Sequence, residues 1–293
     1  MRLARILVPL DGSPLAEAVM PAACSLAKRL GGTLLLLHVL EQEPPAEVHG
    51  EPHLCDEREA LDYLERQATE LRREGIAVES HVHERRVDDV APAVDMHAHE
   101  FGADLIAMCA HGRSNLRTRL IGSIAERILR GGSVPVLLRT VRRADVPAFE
   151  LRRILVPIDF GHDVDAALAA ARTLAPQYGA AVTLLAAPER PAPTTSRLLP
   201  GTSALMRAYD LDALRERIAE VAEQLRAEVG EVDAIVAAEP PTPAILAAGD
   251  ALPADLIVLV TDAHGGLSSW SEPSTVQQLL RRADLTLLLI REL

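Results

Sequence analysis

The stretch AHGRSNLRTRLIGS, residues 110–123, carries the residue types best suited to binding chemistry. Gly112 permits close backbone approach, and nine residues separate it from Gly122 and Ser123. Those two residues stand at the start of an apolar period, Ile124, Ile128 and Leu129, so a helix beginning there would offer unpaired N–H groups and a positive dipole end to an anion. Ser123 adds a hydroxyl. Arg113, Arg117, Arg119, Arg127 and Arg130 face the single acid Glu126, which makes this a basic island in a chain of formal net charge −12. On spacing alone a structural reading stands beside the binding one: Gly112 as a turn, Gly122 as a packing position and the arginines as a solvated face.

Other constellations point less clearly to chemistry. His49, His53 and Cys55 in HGEPHLCDE lack an evident fourth ligand and match no standard structural zinc spacing. His81 and His83 would share one strand face, whereas His97 and His99, two apart on a helix, would not. Surface or packing roles are expected for all four. Cys109 is expected to be a buried, inert thiol. The serines of GLSSWSEPS show no paired His and Asp, so hydrolase chemistry is not supported, and Trp270 reads as a packing anchor.

The elements that must position these residues follow from hydrophobic period. RILVPL, TLLLLHVL, DLIAMC and VPVLLR are short, nearly continuous apolar runs, as parallel strands covered on both faces require. Leu15, Val19, Ala22, Leu26 and Leu30 share a helical face, with Ser13 as cap, Pro14 as first helical residue and Gly31 as stop. Leu61, Leu64, Ala68 and Leu71 repeat the pattern before Gly75. IAVESHVHE alternates as a strand, and DDVAPAVDMHAHEFG opens with aspartates and closes at Gly102, as a short helix does. Strand and helix therefore alternate, which predicts an α/β fold with a doubly wound, five-stranded parallel sheet. Ligands bind such sheets outside the carboxyl ends of the strands, here Asp11 to Ser13 and Cys109 to Gly112.

The pattern occurs twice. ILVPLDGS at residues 6–13 returns as ILVPIDFG at 154–161, GADLIAMC at 102–109 as PADLIVLV at 253–260, and VPVLLR at 134–139 as LTLLLI at 285–290. Two copies are too few for a solenoid, so a tandem pair is expected, with domains 1–141 and 150–293 joined by the polar stretch TVRRADVPAFE. A chain of 293 residues, 48% hydrophobic, can bury a core in each domain. The acidic balance and 2% aromatic content argue against nucleic acid as a partner. The amino-terminal apolar run is too short for a membrane span and lacks a signal-peptide cleavage region, and three scattered cysteines agree with a reducing compartment, so no membrane partner and a cytoplasmic location are expected.

ILVPLDGS, LLHV, ADLIAMCAHGRSNL, IGSIAERIL and VPVLL, in that order, resemble the universal stress protein family. The resemblance covers nearly all of both halves, and the duplication is similar to the family's tandem members. It implies two HUP-like, adenine-nucleotide-type domains as a pseudo-symmetric pair, and ATP, with or without Mg2+, as ligand. A nucleotide-binding subgroup of the family carries Gly-x-x-Gly, nine residues, then Gly-Ser/Thr. Asp11 resembles the aspartate that meets the adenosine part, Val39 the residue whose backbone meets adenine, and Gly112, Gly122 and Ser123 the phosphate-holding part. Cys109 stands where the motif has its first glycine. The binding set implied is Asp11, Gly12, Ser13, Val39, Cys109, His111, Gly112, Arg113, Gly122 and Ser123.

In the second copy Asp159 matches Asp11, but Pro273 and Ser274 fall opposite Gly122 and Ser123, and proline lacks the N–H an anion needs. Asp262 and Glu272 put negative charge where the first copy has arginine. The second domain is therefore expected to have lost triphosphate binding and to act as a structural or regulatory partner. Two functional readings follow. The first is a nucleotide-dependent stress regulator with one ATP site, slow hydrolysis at most, a regulatory protein partner and homo-oligomeric assembly. The second is a scaffold of the same fold that binds no nucleotide.

Overall fold

The computed structural model describes residues 1–48, 51–110, 122–140, 146, 148–160, 164–188, 202–261, 275–280 and 285–291. His49, the polar stretch at 141–145 and 147, the segment 111–121 with His111, Gly112, Arg113, Arg117 and Arg119, and Asp262, Trp270, Glu272, Pro273 and Ser274 lie outside them.

The first copy runs β1 (Arg5–Pro9), α1 (Pro14–Glu17), α2 (Met20–Leu30), β2 (Thr33–Glu41), β3 (Glu47–Val48), β4 (Glu51–Pro52), α3 (Glu57–Arg73), β5 (Ala77–Val87), α4 (Val90–Glu100), β6 (Leu105–Cys109), α5 (Ser123–Gly131) and β7 (Val136–Arg139). The second runs β8 (Arg153–Ile158), α6 (Val164–Tyr178), β9 (Ala181–Ala186), α7 (Thr202–Val229), β10 (Val232–Val236), α8 (Pro241–Ala251), β11 (Leu256–Thr261), α9 (Thr275–Leu280) and β12 (Thr286–Arg291). Contacts group the chain into two units, Met1–Glu150 with Val260–Leu293, and Leu151–Leu259.

In the first unit the five parallel strands lie in the order β7-β6-β1-β2-β5, the doubly wound arrangement expected from the alternating pattern. The apolar runs are buried as a sheet covered on both faces demands: Ile6, Leu7, Leu34, Leu36, Leu37 and Ile106 are all enclosed. A sixth strand adds to the five on the β7 side. β12 pairs antiparallel with β7, Thr286 opposite Arg139 and Leu288 opposite Leu137. An edge strand leaves a row of N–H and C=O groups without partners, and β12 covers that row. In the second unit β10, β9, β8 and β11 repeat the order of β5, β2, β1 and β6.

A shared device shows how closely the copies agree. Asp104 Oδ2 accepts from the backbone N–H of Ala4 and of Arg5, each at 3.0 Å, tying the start of β6 to the start of β1. Asp255 Oδ2 accepts from Arg152 at 2.8 Å and Arg153 at 2.9 Å, tying β11 to β8 in the same way. The aspartates of GADL and PADL thus hold matching strands, through charge-assisted bonds that are stronger than neutral ones.

The single helix expected between Ser13 and Gly31 is two. Ser13 caps it and Gly31 ends it at φ 63°, but the chain breaks between α1 and α2. Pro21 is the cause: it has no N–H to return to Glu17 and its ring crowds that carbonyl, so α2 starts afresh with proline in its first turn. Among the described residues no helix is long and apolar enough to cross a membrane.

Candidate functional site

The crevice lies where strand order reverses, at the carboxyl ends of β1 and β6. Asp11 follows β1 by two residues, and its Oδ1 accepts from Ser13 N at 2.9 Å and from Ser13 Oγ at 2.6 Å. Ser13 Oγ in turn accepts from Ala16 N at 3.1 Å, so one fully buried serine both fixes the carboxylate and caps α1. Between them Gly12 sits at φ 86°, a backbone conformation that glycine adopts at little steric cost.

These residues border an open cleft of about 120 Å3. Its floor and walls come from Pro9, Leu10 and Asp11 after β1, Leu37 to Val39 and Glu41 of β2, and Met108 and Cys109 of β6. His53, Val90 and Ile124 complete the rim. Of the binding residues read from the sequence, Asp11, Val39 and Cys109 thus meet at one cleft. Gly12 and Ser13 stand behind Asp11. Gly122 and Ser123 begin α5, whose Ile124 reaches the rim. Gly122 is the cap residue and, having no side chain, supplies no side-chain cap bond to the first turn. His111, Gly112 and Arg113 fall in the undescribed segment.

Cys109 forms the wall of the cleft rather than a plug. It is buried, and that burial pushes its thiol up to about 12, with the charge of Asp11 adding to the rise and Arg139 opposing it. The group is therefore a neutral thiol at ordinary pH, as expected of an inert cysteine.

Two buried polar groups, one lining the cleft and one behind it, escaped the reading of spacing. His38 is buried on β2 between the β1 loop and the segment before α3, with Nδ1 2.8 Å from Leu10 O and Nε2 3.2 Å from Leu54 O, and its neutral ring donates to one of these carbonyls at a time. Arg139, at the end of β7 and opposite Cys109 in register, places a buried cation behind the cleft and over the Phe149 ring at 5.8 Å. Their signal was a polar residue within or at the end of an otherwise apolar strand, LLHV and VLLR, which marks a side chain that must find partners. Among the described residues no group of three or more His, Cys, Asp and Glu could hold a metal ion.

The model of the universal stress protein family matches residues 3–139 and again 150–291. The chain belongs to the universal stress protein family. A universal stress protein of Methanocaldococcus jannaschii is 29% identical over 145 residues, which span 46% of this chain and 80% of that one. One of Bacillus subtilis is 27% identical over 146 residues, spanning 46% and 97%. Among solved structures, a universal stress protein from Archaeoglobus fulgidus aligns over 99% of both chains with a TM-score of 0.72 and 20% identity, which shows the shared tandem fold. As a universal stress protein, the chain carries its two family domains one after the other, as the internal repeat required.

Proposed function

We propose that this universal stress protein binds an adenine nucleotide, ATP in the first instance, at the β1/β6 cleft of its amino-terminal domain and acts as a nucleotide-dependent regulator. The observation that carries this reading is an open, largely apolar cleft at the sheet's switch point, lined by the fixed carboxylate of Asp11 and by Ile124 from the first turn of a glycine-capped helix. Leu37, Val39 and Met108 offer apolar walls to a base. Asp11, held by Ser13, accepts hydrogen bonds and suits ribose hydroxyls. The first turn of α5, together with Ser123, suits phosphate oxygens.

The cleft is smaller than the roughly 300–1,000 Å3 of enclosing small-molecule pockets, so it takes the base and sugar and leaves the phosphates outside it, towards α5. Magnesium, in this reading, arrives on the phosphates rather than in a protein cage. The scaffold alternative requires a cleft filled by side chains, and the open space beside Cys109 weighs against it. The domain limits 1–141 and 150–293, the loss of triphosphate binding in the second copy, a regulatory protein partner, homo-oligomeric assembly and a cytoplasmic location belong to the same proposal.

Isothermal titration with ATP and magnesium tests it. Heat of binding is expected for the unaltered chain. Gly122→Glu, which puts a carboxylate at the phosphate end, is expected to abolish it. Absence of heat and of any thermal shift with the unaltered protein overturns the reading.

A further inference from the structure

A second group of side chains beside the cleft has the form of an activated thiol. His53 Nε2 lies 3.1 Å from Glu41 Oε1, and Cys55 Sγ lies 3.8 Å from His53 Nδ1. A carboxylate only accepts, so Nε2 carries the proton and Nδ1 presents its lone pair to the sulfur. The His53 side chain is 2% exposed and therefore fixed in this orientation, while Cys55 is half-buried. In the resting state the thiol donates to His53 O at 3.3 Å. Arg86 braces the assembly, its Nη2 donating to Cys55 O at 2.8 Å and its Nη1 to Glu41 O at 3.3 Å. His38 stands edge-on to His53 at 6.4 Å between ring centroids, and Asp56, next in sequence, spends its carboxylate capping α3 through Arg58 N and Glu59 N.

We infer that Cys55 is a nucleophilic thiol, with His53 as its base and Glu41 as the residue that positions the base, and that it takes low-molecular-weight disulfides as its reaction partners. Nucleophile, base and orienting group in hydrogen-bonding series form the arrangement that activates a thiol. His53 Nδ1 accepts the Cys55 proton, and the thiolate attacks one sulfur of the disulfide. A bond from Cys55 Sγ to that sulfur forms as the original S–S bond breaks, and the departing thiolate takes the proton from His53. Cys55 is oxidised to a mixed disulfide and the departing half is reduced to a thiol, so the disulfide is the oxidant and no other is needed. The other described cysteines provide the contrast. Burial pushes the Cys24 thiol up to about 11 and the Cys109 thiol up to about 12, and neither has a base beside it in the manner of Cys55.

The full chain, reduced and freed of reductant, is incubated with oxidised glutathione and followed by intact-protein and peptide mass spectrometry. A short peptide of the sequence around Cys55 serves as the unassisted reference. Cys55 is expected to gain the glutathionyl adduct first, roughly tenfold faster than the peptide at neutral pH, a gain within what raising the thiolate from the few per cent of a free cysteine allows. His53→Gln is expected to bring the rate down to that of the peptide at neutral pH. The two rates should converge at alkaline pH, where hydroxide removes the proton instead. Glu41→Gln, which alters a partly exposed side chain, is expected to move the rise of the pH profile without changing the alkaline limit, a shift that a merely structural role would not produce. A Cys55 rate equal to the peptide's, adducts spread evenly over Cys24 and Cys109, or a neutral-pH rate unchanged in both the His53 and Glu41 variants would overturn the assignment. Circular dichroism identifies a variant that fails to fold, and the other variant then decides.

Discussion

Gly12 governs how Asp11 and Ser13 reach the cleft, because its φ of 86° lets the chain turn directly from β1 into the cap of α1. A Cβ built there meets Leu54 Cδ1 at 2.8 Å and Cγ at 2.9 Å, inside contact distance, and the left-handed backbone is itself unfavourable to a side chain. Gly12→Ala is therefore expected to cost about 1–2 kcal/mol from the backbone alone. Pushing Leu54 aside also moves its carbonyl, which lies 3.2 Å from His38 Nε2, so the loss falls on the segment that borders the cleft. Urea denaturation measures it, and an unchanged midpoint would refute the strain. The positions of Asp11, Ser13 and Cys109 were legible in the sequence because they end or follow strands whose apolar runs are unmistakable. His38, Glu41 and His53 were not legible as one assembly. Their association depends on the course of the chain after β2, which no period encodes.

At the scale of elements, β5 and α4 are joined by stacked rings. His83 Nδ1 lies 2.9 Å from His97 Nε2, His97 Nδ1 lies 2.9 Å from Glu100 Oε2, His81 stands edge-on to His97 and Phe101 stacks flat against it. The sequence reading of His81 and His83 on one strand face holds, and His97 proves to be the buried residue that face packs against. Burial, then the neighbouring charges of His81 and His83, hold the His97 imidazole below its ordinary 6.5, although Glu100 opposes the shift. The unfolded chain therefore binds this proton more readily than the folded one. The stability that neutral His97 contributes is complete above the unfolded value and is lost as pH falls from there through the lowered folded value. Thermal midpoints taken between about pH 8 and about pH 5 should decline on the acid side, and His97→Gln should flatten that part of the decline. A variant with the same acid dependence as the parent would show that other groups cause it. The starts of α1, α3 and α4 carry a mark in the sequence, since Ser13, Asp56 and Asp89 cap as their types suggest, whereas α2, α5 and α8 begin with no side-chain cap bond. The break between α1 and α2 was readable too, at Pro21, but the apolar period runs through it and masked the break.

At the scale of the molecule, duplication was the most legible feature, since it rests on the order of whole segments rather than on any single residue. The pairing of β12 with β7 was not, because LTLLLI and VPVLLR are equally apolar and neither states which strand it will lie beside. That pairing has a consequence for the amino-terminal copy taken alone. The Bacillus subtilis relative is spanned almost entirely by a match to half of this chain, so a single copy can form a whole protein. A fragment of residues 1–150 retains β7 but loses the strand that covers its outer edge, and with it the bonds from Thr140 N to Leu285 O and from Leu285 N to Thr140 Oγ1. An apolar edge strand freed in this way pairs with another copy. β7 accepts an antiparallel neighbour in the intact chain, so two fragments can meet β7 to β7 about a two-fold axis, the commonest symmetry of small assemblies. Light scattering after gel filtration is expected to return twice the fragment's mass. Leu137→Lys, which sets like charges close together across that axis, is expected to return the single mass. A fragment that is monomeric and soluble without the substitution would mean that β7 protects its own edge and that β12 adds nothing to it.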